Sequence, residues 1–238
     1  MAPTRERAQA LILAGRVLVD EQKIEKAGTG VGADATVRVL GDDLPYVSRG
    51  GLKLARALQH WHIDVAGTTC VDIGASTGGF TDCLLQAGAA HVIAVDTGYG
   101  QMDARLRADP RVRLVEKTNA RYLSPAQLWG REPSVAIALV VMDVSFISAT
   151  LVLPSVVTSV RFTSTHWELV VLVKPQFEVG REQVGKGGIV RDAGAQRAAI
   201  AKVAATVEQL GGSAIEEIES PILGAEGNRE FLLHACFS

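Results

Sequence analysis

A run of small residues stands between an apolar segment and a helical pattern, and it could form a ligand-binding loop. Gly74 and Gly78 have no Cβ atom, so the backbone can turn tightly there and approach a ligand closely. The loop would present backbone N–H groups at the N-terminus of a helix. Asp72 precedes the loop, and twenty-four residues later Asp96 ends the next apolar run, where its carboxylate can accept hydrogen bonds from two ribose hydroxyls. The candidate cofactor-binding residues of this segment are Asp72, Gly74, Ala75, Ser76, Thr77, Gly78 and Asp96.

A glycine-rich loop followed by an acid on the next strand suits any adenosine-containing cofactor, including NAD. The spacing here is G-x-x-x-G rather than G-x-G-x-x-G, and the carboxylate of Asp72 stands at the strand end. That carboxylate would repel a pyrophosphate, whereas it is compatible with the cationic methionyl portion of S-adenosylmethionine. The loop therefore favours S-adenosylmethionine. The alternative is a strand–helix turn whose glycines serve only packing.

Apolar runs alternate with helical patterns from about residue 68 onward, which predicts an α/β fold with a Rossmann-like, doubly wound sheet. The two-sided apolar run Val135–Asp143 is typical of a central parallel strand. The last two strands, joined by a turn-rich loop, should form an antiparallel edge. The predicted elements are strand Thr69–Ile73, helix Gly79–Ala87, strands His91–Asp96, Val112–Glu116 and Val135–Asp143, helix Ala149–Val160, strand Glu168–Lys174, helix Ala193–Leu210, and strands Ala214–Ser220 and Glu230–Cys236.

Residues 1–41 differ in character, since one helical pattern, Arg5–Gly15, precedes only short strand patterns at Val17–Val19 and Val37–Leu40. This is too little chain to bury a core of its own. The segment is therefore predicted to be a small α+β accessory module. We expect a linker at 42–50 and the main domain at 51–238, which opens with a helix over Gly51–Trp61.

Composition excludes several classes of protein. With 47% hydrophobic and 21% charged residues, the 238-residue chain resembles an ordinary globular protein. The three cysteines lie far apart and the five histidines show no metal-ligand spacing, so we expect neither disulfides nor a metal. We find neither a leader pattern nor a continuous apolar span, which favours a cytoplasmic protein without a membrane partner. The net charge of −2 gives no global nucleic-acid signature, so any RNA contact must be local. The oligomeric state stays open, with a monomer favoured.

Five blocks of sequence form a specific combination, and they are 46–54, YVSRGGLKL; 72–81, DIGASTGGFT; 96–101, DTGYGQ; 143–148, DVSFIS; and 173–180, VKPQFEVG. Together they resemble the TlyA family, whose members are often labelled hemolysins and which belongs to the FtsJ-like group of ribose methyltransferases. The likeness covers nearly the whole chain, from about residue 5. It implies a methyltransferase domain behind an RNA-binding module of the ribosomal protein S-four type. The implied activity is S-adenosylmethionine-dependent methylation of a cytidine 2′-hydroxyl, with ribosomal RNA or ribosomal subunits as partner.

The resemblance also implies roles for particular residues. The Lys-Asp-Lys-Glu tetrad of the FtsJ-like group falls on Lys53, Asp143, Lys174 and Glu230, and Asn119 joins the cofactor-binding set. The family's module begins with one helix more than this sequence shows before Arg5–Gly15, so we expect weak RNA binding. The candidate RNA contacts are Arg5, Arg7, Arg16, Lys23, Arg49, Arg181 and Lys186, the last two in a glycine-rich segment over 180–192 that could close on phosphates.

Methyl transfer to a hydroxyl is an in-line displacement at a sulfonium carbon, so the protein must position the hydroxyl and help to remove its proton. Lys174 follows a strand, where doubly wound folds place reacting groups. Burial and the ammonium of Lys53 would lower the pKa of Lys174, while Asp143 and Glu230 would orient the two amines. As alternatives, Lys53 is a solvated charge, Asp143 caps the following helix, and Glu230 is a surface acid on an edge strand.

Three other functions stay open. The family label suggests a membrane-active hemolysin, and a protein that binds RNA without catalysis could keep the same fold. A methyltransferase of small molecules is the third, although the basic N-terminal module disfavours it.

Overall fold

The computed structural model describes residues 5–13, 15–39, 44–129, 135–224 and 226–238. The chain divides into two compact units, Met1–Leu44 and Pro45–Ser238. The smaller unit consists of one helix and a three-stranded antiparallel sheet in the order β2-β1-β3. Its elements are α1 (Arg5–Leu13), β1 (Val17–Val19), β2 (Gln22–Ile24) and β3 (Val37–Val39).

The sequence predicted α1, β1 and β3 but missed β2. This strand is mostly polar, and it follows β1 through a two-residue turn at Asp20 and Glu21, both with positive φ (49° and 64°). Such hairpin turns usually carry glycine or asparagine, and neither residue is present here to signal the turn. The predicted end of β3, at Leu40, lies outside the described residues.

The larger unit contains a seven-stranded sheet in the order β6-β5-β4-β7-β8-β10-β9. All neighbouring strands are parallel except β10, which runs antiparallel to both β8 and β9. In chain order its helices and strands are α2 (Gly50–Trp61), β4 (Thr69–Ile73), α3 (Gly79–Gln86), β5 (His91–Val95), α4 (Ala104–Ala108), β6 (Val112–Val115), α5 (Pro125–Trp129), β7 (Ile137–Met142), α6 (Ala149–Arg161), β8 (Trp167–Val173), α7 (Pro175–Glu178), α8 (Ala193–Gln209), β9 (Ser213–Glu219) and β10 (Phe231–Phe237).

Helices cover both faces of the sheet, which confirms the predicted doubly wound α/β fold. Successive strand residues alternate between two cores: Val140 packs with α6 and α8, and Val141 packs with α2 and α3. Such two-sided burial explains why β7 and β8 are almost continuously apolar. The antiparallel strands β9 and β10 are also as predicted. The helices α4, α5 and α7 were missed because four or five residues are too few to show a helical period.

The carboxyl ends of the parallel strands meet at one edge of the sheet. Gly74, Asp96, Asp143 and Lys174 each follow a parallel strand, so the topology gathers them there. Strand β10 runs antiparallel to β8, so its beginning lies at the same edge. Glu230 directly precedes it there. No described helix is both long and apolar enough to cross a membrane.

Asp72, on the central strand β4, is fully buried and accepts a hydrogen bond from the Thr81 hydroxyl at 2.6 Å. Burial, together with the charges of Asp143 and Asp96, raises the pKa of Asp72 from 3.8 to about 7. Between these two pH values the folded protein keeps a proton that the unfolded chain has released. The contribution of Asp72 to the free energy of unfolding therefore falls as pH rises through this window.

We expect Asp72→Asn to remove this dependence, since an amide of the same shape does not ionise. Relative to the wild type, the variant should gain about 2 kcal/mol in free energy of unfolding between about pH 5 and about pH 8. Urea denaturation at both pH values measures this difference. An equal difference at the two pH values would contradict the assignment.

Candidate active site

The loop between β4 and α3 is held against the loop that follows β7. Gly74 has a φ of +85°, and a Cβ at this position would lie 2.5 Å from the backbone oxygen of Asp143. Its backbone N–H donates to Val95 at 2.8 Å, which continues the sheet into the loop. Gly78 also has positive φ, and a Cβ there would meet Leu106. The tight turn predicted at these glycines is therefore present, while the predicted close approach of a ligand stays a prediction.

Asp96 fixes two loops while it faces a cavity. One carboxylate oxygen accepts from the Ser76 backbone N–H at 2.7 Å, and the other from that of Gly98 at 2.6 Å. Each carboxylate oxygen can accept a second hydrogen bond, so both can still bind ribose hydroxyls. The cavity has a volume of about 460 Å³, and Asn119 also lines it. We call it the cofactor cavity.

A second cavity, of about 290 Å³, is lined by all four tetrad side chains, Lys53, Asp143, Lys174 and Glu230. Nζ of Lys53 lies 2.5 Å from Oε2 of Glu230, and Nζ of Lys174 lies 2.7 Å from Oδ1 of Asp143. Each ammonium is therefore paired with one carboxylate. We call this the tetrad cavity.

The two cavities adjoin, since Gly74, Ser76, Asp143 and Ser145 line both. A ligand whose ribose is bound by Asp96 would extend past the glycine loop towards the tetrad. Ala75 and Thr77 line the tetrad cavity, whereas the buried Asp72 lines neither. The residues present therefore fit an elongated adenosine cofactor such as S-adenosylmethionine, with Asp72 shaping the loop from behind.

Lys53 reaches the tetrad cavity because two helices start in close contact. A Cβ on Gly79 would lie 3.1 Å from the Gly51 backbone nitrogen, and one on Gly51 would lie 2.2 Å from the Tyr46 ring. Only glycine lets the first turns of α2 and α3 approach this closely. The side chain of Lys53 is then carried inward beside the buried Leu54.

The alternative roles are wrong: Lys53 is not a solvated charge, Asp143 does not cap a helix, and Glu230 is not a surface acid on an edge strand. Lys53 is 8% exposed and Glu230 is 3% exposed, so neither is a solvated surface charge, and β10 is not an edge strand. Asp143 does not cap α6, because Ser148 occupies that position and its hydroxyl accepts from the Thr150 backbone N–H. All four tetrad side chains face the same cavity instead.

Sequence reasoning gave no role to Ser145, Phe146 or Glu178. The Lys174 ammonium donates to the Ser145 hydroxyl at 2.6 Å. The Phe146 side chain is 92% exposed, its φ is +65°, and its ring centroid lies 5.6 Å from that of Phe177. Buried Glu178 accepts from the Ser148 hydroxyl at 2.5 Å and from the Ala149 backbone N–H at 2.6 Å. All three lie in the sequence blocks 143–148 and 173–180, and this position was the signal that could have identified them.

The predicted RNA contacts fall into two groups. Arg49 lines the tetrad cavity, and Arg181 and Lys186 are exposed. In the smaller unit Arg5 and Lys23 are exposed and Arg16 is half-buried, while the side chain of Arg7 lies outside the described part.

The segment 180–192 is less free than its glycines suggested. Asn228, 1% exposed, donates to the Gly188 carbonyl at 2.8 Å and accepts from the Val190 backbone N–H at 2.9 Å. Residues Arg181–Gln183 form a short 3₁₀ helix. The second half of the segment is therefore tied to the loop before β10.

A doubly wound sheet carries a glycine loop, the Asp96 carboxylate and two lysine–carboxylate pairs at its carboxyl edge, where such folds bind their ligands, and this arrangement fits an S-adenosylmethionine-dependent methyltransferase. Comparison with known proteins agrees. Residues 46–237 match the FtsJ-like methyltransferase family, and residues 1–37 match the S4 domain.

Three similar proteins match this chain over most of their own lengths. The "16S/23S rRNA (cytidine-2'-O)-methyltransferase TlyA" of Mycobacterium tuberculosis is 45% identical over 234 residues, which cover 98% of this chain and 84% of that protein. "Hemolysin A" of Brachyspira hyodysenteriae is 39% identical over 231 residues, 97% of this chain and 93% of that protein. The solved structure of a putative hemolysin from Streptococcus thermophilus has a TM-score of 0.79 at 40% identity, covering 100% of this chain and 84% of that one. The chain therefore belongs to the TlyA family of FtsJ-like methyltransferases.

We expect Gly74→Ala to weaken S-adenosylmethionine binding about tenfold or more, because the added methyl group would push the cofactor loop off the Asp143 backbone. Gly67→Ala is the matched control: Gly67 also has positive φ (+70°), but a Cβ there meets nothing within 4 Å. Calorimetry on both folded variants measures the affinity. Equal affinities would show that the close approach at Gly74 is irrelevant to the cofactor.

Proposed function

We propose that this protein transfers the methyl group of S-adenosylmethionine to the 2′-hydroxyl of a cytidine in ribosomal RNA. The observation that carries the proposal is the pair of lysine–carboxylate contacts facing one cavity, directly beside the cofactor cavity. The printed name of the Mycobacterium tuberculosis relative, 45% identical to this chain, supports the substrate.

Lys174 is the residue proposed to act on the hydroxyl. An ammonium has three N–H donors: the Ser145 hydroxyl accepts from one, and a second can serve the carboxylate of Asp143, which forms an ion pair with Lys174 at 2.7 Å. The third is available for the ribose oxygen and holds it in line with the methyl group. When Lys174 is neutral, its lone pair can take the hydroxyl proton while the new O–C bond forms and the sulfonium becomes a neutral thioether.

Lys53 and Glu230 form the second half of the arrangement. The two side chains are only 10% and 4% exposed, so solvent screens the charges of this ion pair only slightly. The ammonium of Lys53 would stabilise negative charge developing on the ribose oxygen. Glu230 holds that ammonium in place. Neither carboxylate needs to act as a base.

A third cavity, of about 250 Å³, offers a place for the target nucleoside. Lys174 and Glu230 line it, together with the rings of Phe146 and Phe177. Aromatic faces stack nucleobases taken out of an RNA helix, whatever the base. Phe146 lines this cavity and the cofactor cavity as well, which supports a nucleotide as the acceptor rather than a small metabolite.

RNA binding is proposed to begin at the smaller unit, which matches the S4 domain. Arg5, Arg16 and Lys23 would contact phosphates there, and Arg49, Arg181 and Lys186 would do so in the larger unit. Such contacts position the RNA but do not read its sequence. The choice of nucleotide would rest on the shape of the RNA presented to the third cavity.

We expect Lys174→Ala to slow single-turnover methyl transfer to ribosomal RNA by 10²–10⁴-fold, the usual effect of losing a general base. Cofactor affinity should be almost unchanged, because Lys174 lies outside the cofactor cavity. Asp96→Ala is the converse control. It should weaken cofactor binding, because Asp96 lines the cofactor cavity.

Lys174→Arg separates two roles of the same residue. A guanidinium keeps its positive charge and cannot accept a proton, so this variant should be as inactive as the alanine variant. An active Lys174→Arg protein would show that the residue supplies only charge and position. Full activity in both variants would show that another group acts on the hydroxyl and that Lys174 has no role in the transfer.

A further inference from the structure

Strand pairing brings together three potential metal ligands at the end of the sheet opposite the tetrad. In the antiparallel pair of β8 and β10, Cys236 lies directly opposite Glu168, and His234 lies two residues before Cys236 on the same face. The carboxylate oxygen, the imidazole nitrogen and the thiol sulfur all lie within 4.8 Å of one another. The sequence showed no metal-ligand spacing because the ligands come from distant strands.

The group carries excess negative charge. Within the described part of the chain, neither Glu168 nor the neighbouring Glu216 forms an ion pair with a lysine or arginine. Burial and the charges of both glutamates raise the pKa of the Cys236 thiol. His234 lies beside them, with its Nε2 2.6 Å from Glu168. A divalent cation would offset this charge better than one proton shared between two groups.

The imidazole is already oriented for binding. The ring of Trp61, at the end of α2, stacks on His234 with centroids 5.0 Å apart and an interplanar angle of 23°. The indole N–H of Trp61 donates to Glu216 at 3.1 Å. His234 is buried, whereas the Glu168 side chain is 37% exposed, so an ion can enter from solvent. Stacking on Trp61 thus fixes the plane of the imidazole.

We propose that Glu168, His234 and Cys236 bind one zinc ion. Imidazole, thiolate and carboxylate are the three ligand types that Zn²⁺ accepts, at about 2.0–2.3 Å, and a water completes a tetrahedral site. Such a site places its ligand atoms about 3.3–3.8 Å apart, so small side-chain rotations suffice. The ion would replace the proton between His234 and Glu168 and displace that of Cys236. It would tie β8 to β10 at the end remote from Lys174 and Glu230.

Calorimetric titration of the metal-free protein with zinc chloride tests this. The proposal predicts one ion per chain with a dissociation constant in the low micromolar range or tighter, and a rise of about 5 °C in melting temperature at hundredfold excess over that constant. Mg²⁺ should do neither, because it prefers oxygen ligands. Cys236→Ser and Glu168→Gln should each weaken zinc binding tenfold or more. His91→Gln, which alters an exposed histidine elsewhere, should not.

Equal zinc affinity in all these variants, or no stoichiometric binding, would overturn the proposal. Thiol labelling of the wild-type protein gives a second test that needs no variant. Cys236 is partly exposed, while Cys70 and Cys83 are buried and serve as internal references. Zinc should slow alkylation of Cys236 at least tenfold, and Mg²⁺ should leave it unchanged. Unslowed alkylation in saturating zinc would contradict ligation by the thiol. Neither test depends on the proposed methyl transfer.

Discussion

Two ammonium groups are buried in this protein, and each must be neutralised by a carboxylate from a distant part of the chain. Lys53 and Lys174 are 8% and 9% exposed, and Lys53 meets a partner 177 residues away. An unpaired charge at such depth costs several kcal/mol, so neither partner is dispensable. The site exists only if the start of the helix α2, the ends of the parallel strands β7 and β8, and the start of the reversed strand β10 lie together.

The topology meets this requirement in two ways. Parallel strands deliver Asp143 and Lys174 to the carboxyl edge, and the reversal of β10 delivers Glu230 to the same edge. Glu178 connects the loop after β8 with the loop after β7. It follows Lys174 by four residues, and its carboxylate accepts from Ser148 and Ala149 at the start of α6. Ser145 adds a direct bond between the same loops. The relative position of Asp143 and Lys174 is therefore set by the backbone as well as by their own attraction.

The close contacts at Gly74 and Gly79 with backbone, and at Gly51 with the Tyr46 ring, show a second constraint. Each glycine stands where another chain segment lies within about the radius of a methyl group. The cofactor loop thus rests on the Asp143 backbone, and the first turn of α2 rests on that of α3. The cofactor cavity and the tetrad cavity are shaped by the same packing.

Much of this could be predicted from the sequence, for identifiable reasons. The strands of the sheet are long, two-sided apolar runs, and the tetrad positions lie at strand ends or in a specific sequence block. Short elements such as α7 could not be predicted, because a helix of four residues has no period to detect. The neighbours of Lys174 could not be predicted either. Nothing in the sequence around Ser145 indicates that its hydroxyl contacts the Lys174 ammonium, since the fold brings the two strand ends together. The grouping of Glu168 with His234 depends on the register of β8 and β10, which composition and spacing do not encode.

The proposed function assigns the paired lysines to a hydroxyl acceptor, so the chemical form of the product tests the account most directly. Ribosomal subunits are incubated with the protein and isotopically labelled S-adenosylmethionine, and the labelled RNA is digested to nucleosides. The account predicts label in 2′-O-methylcytidine from ribosomal RNA. Label on a base carbon or nitrogen, or no label in RNA by a protein that binds the cofactor, would contradict it.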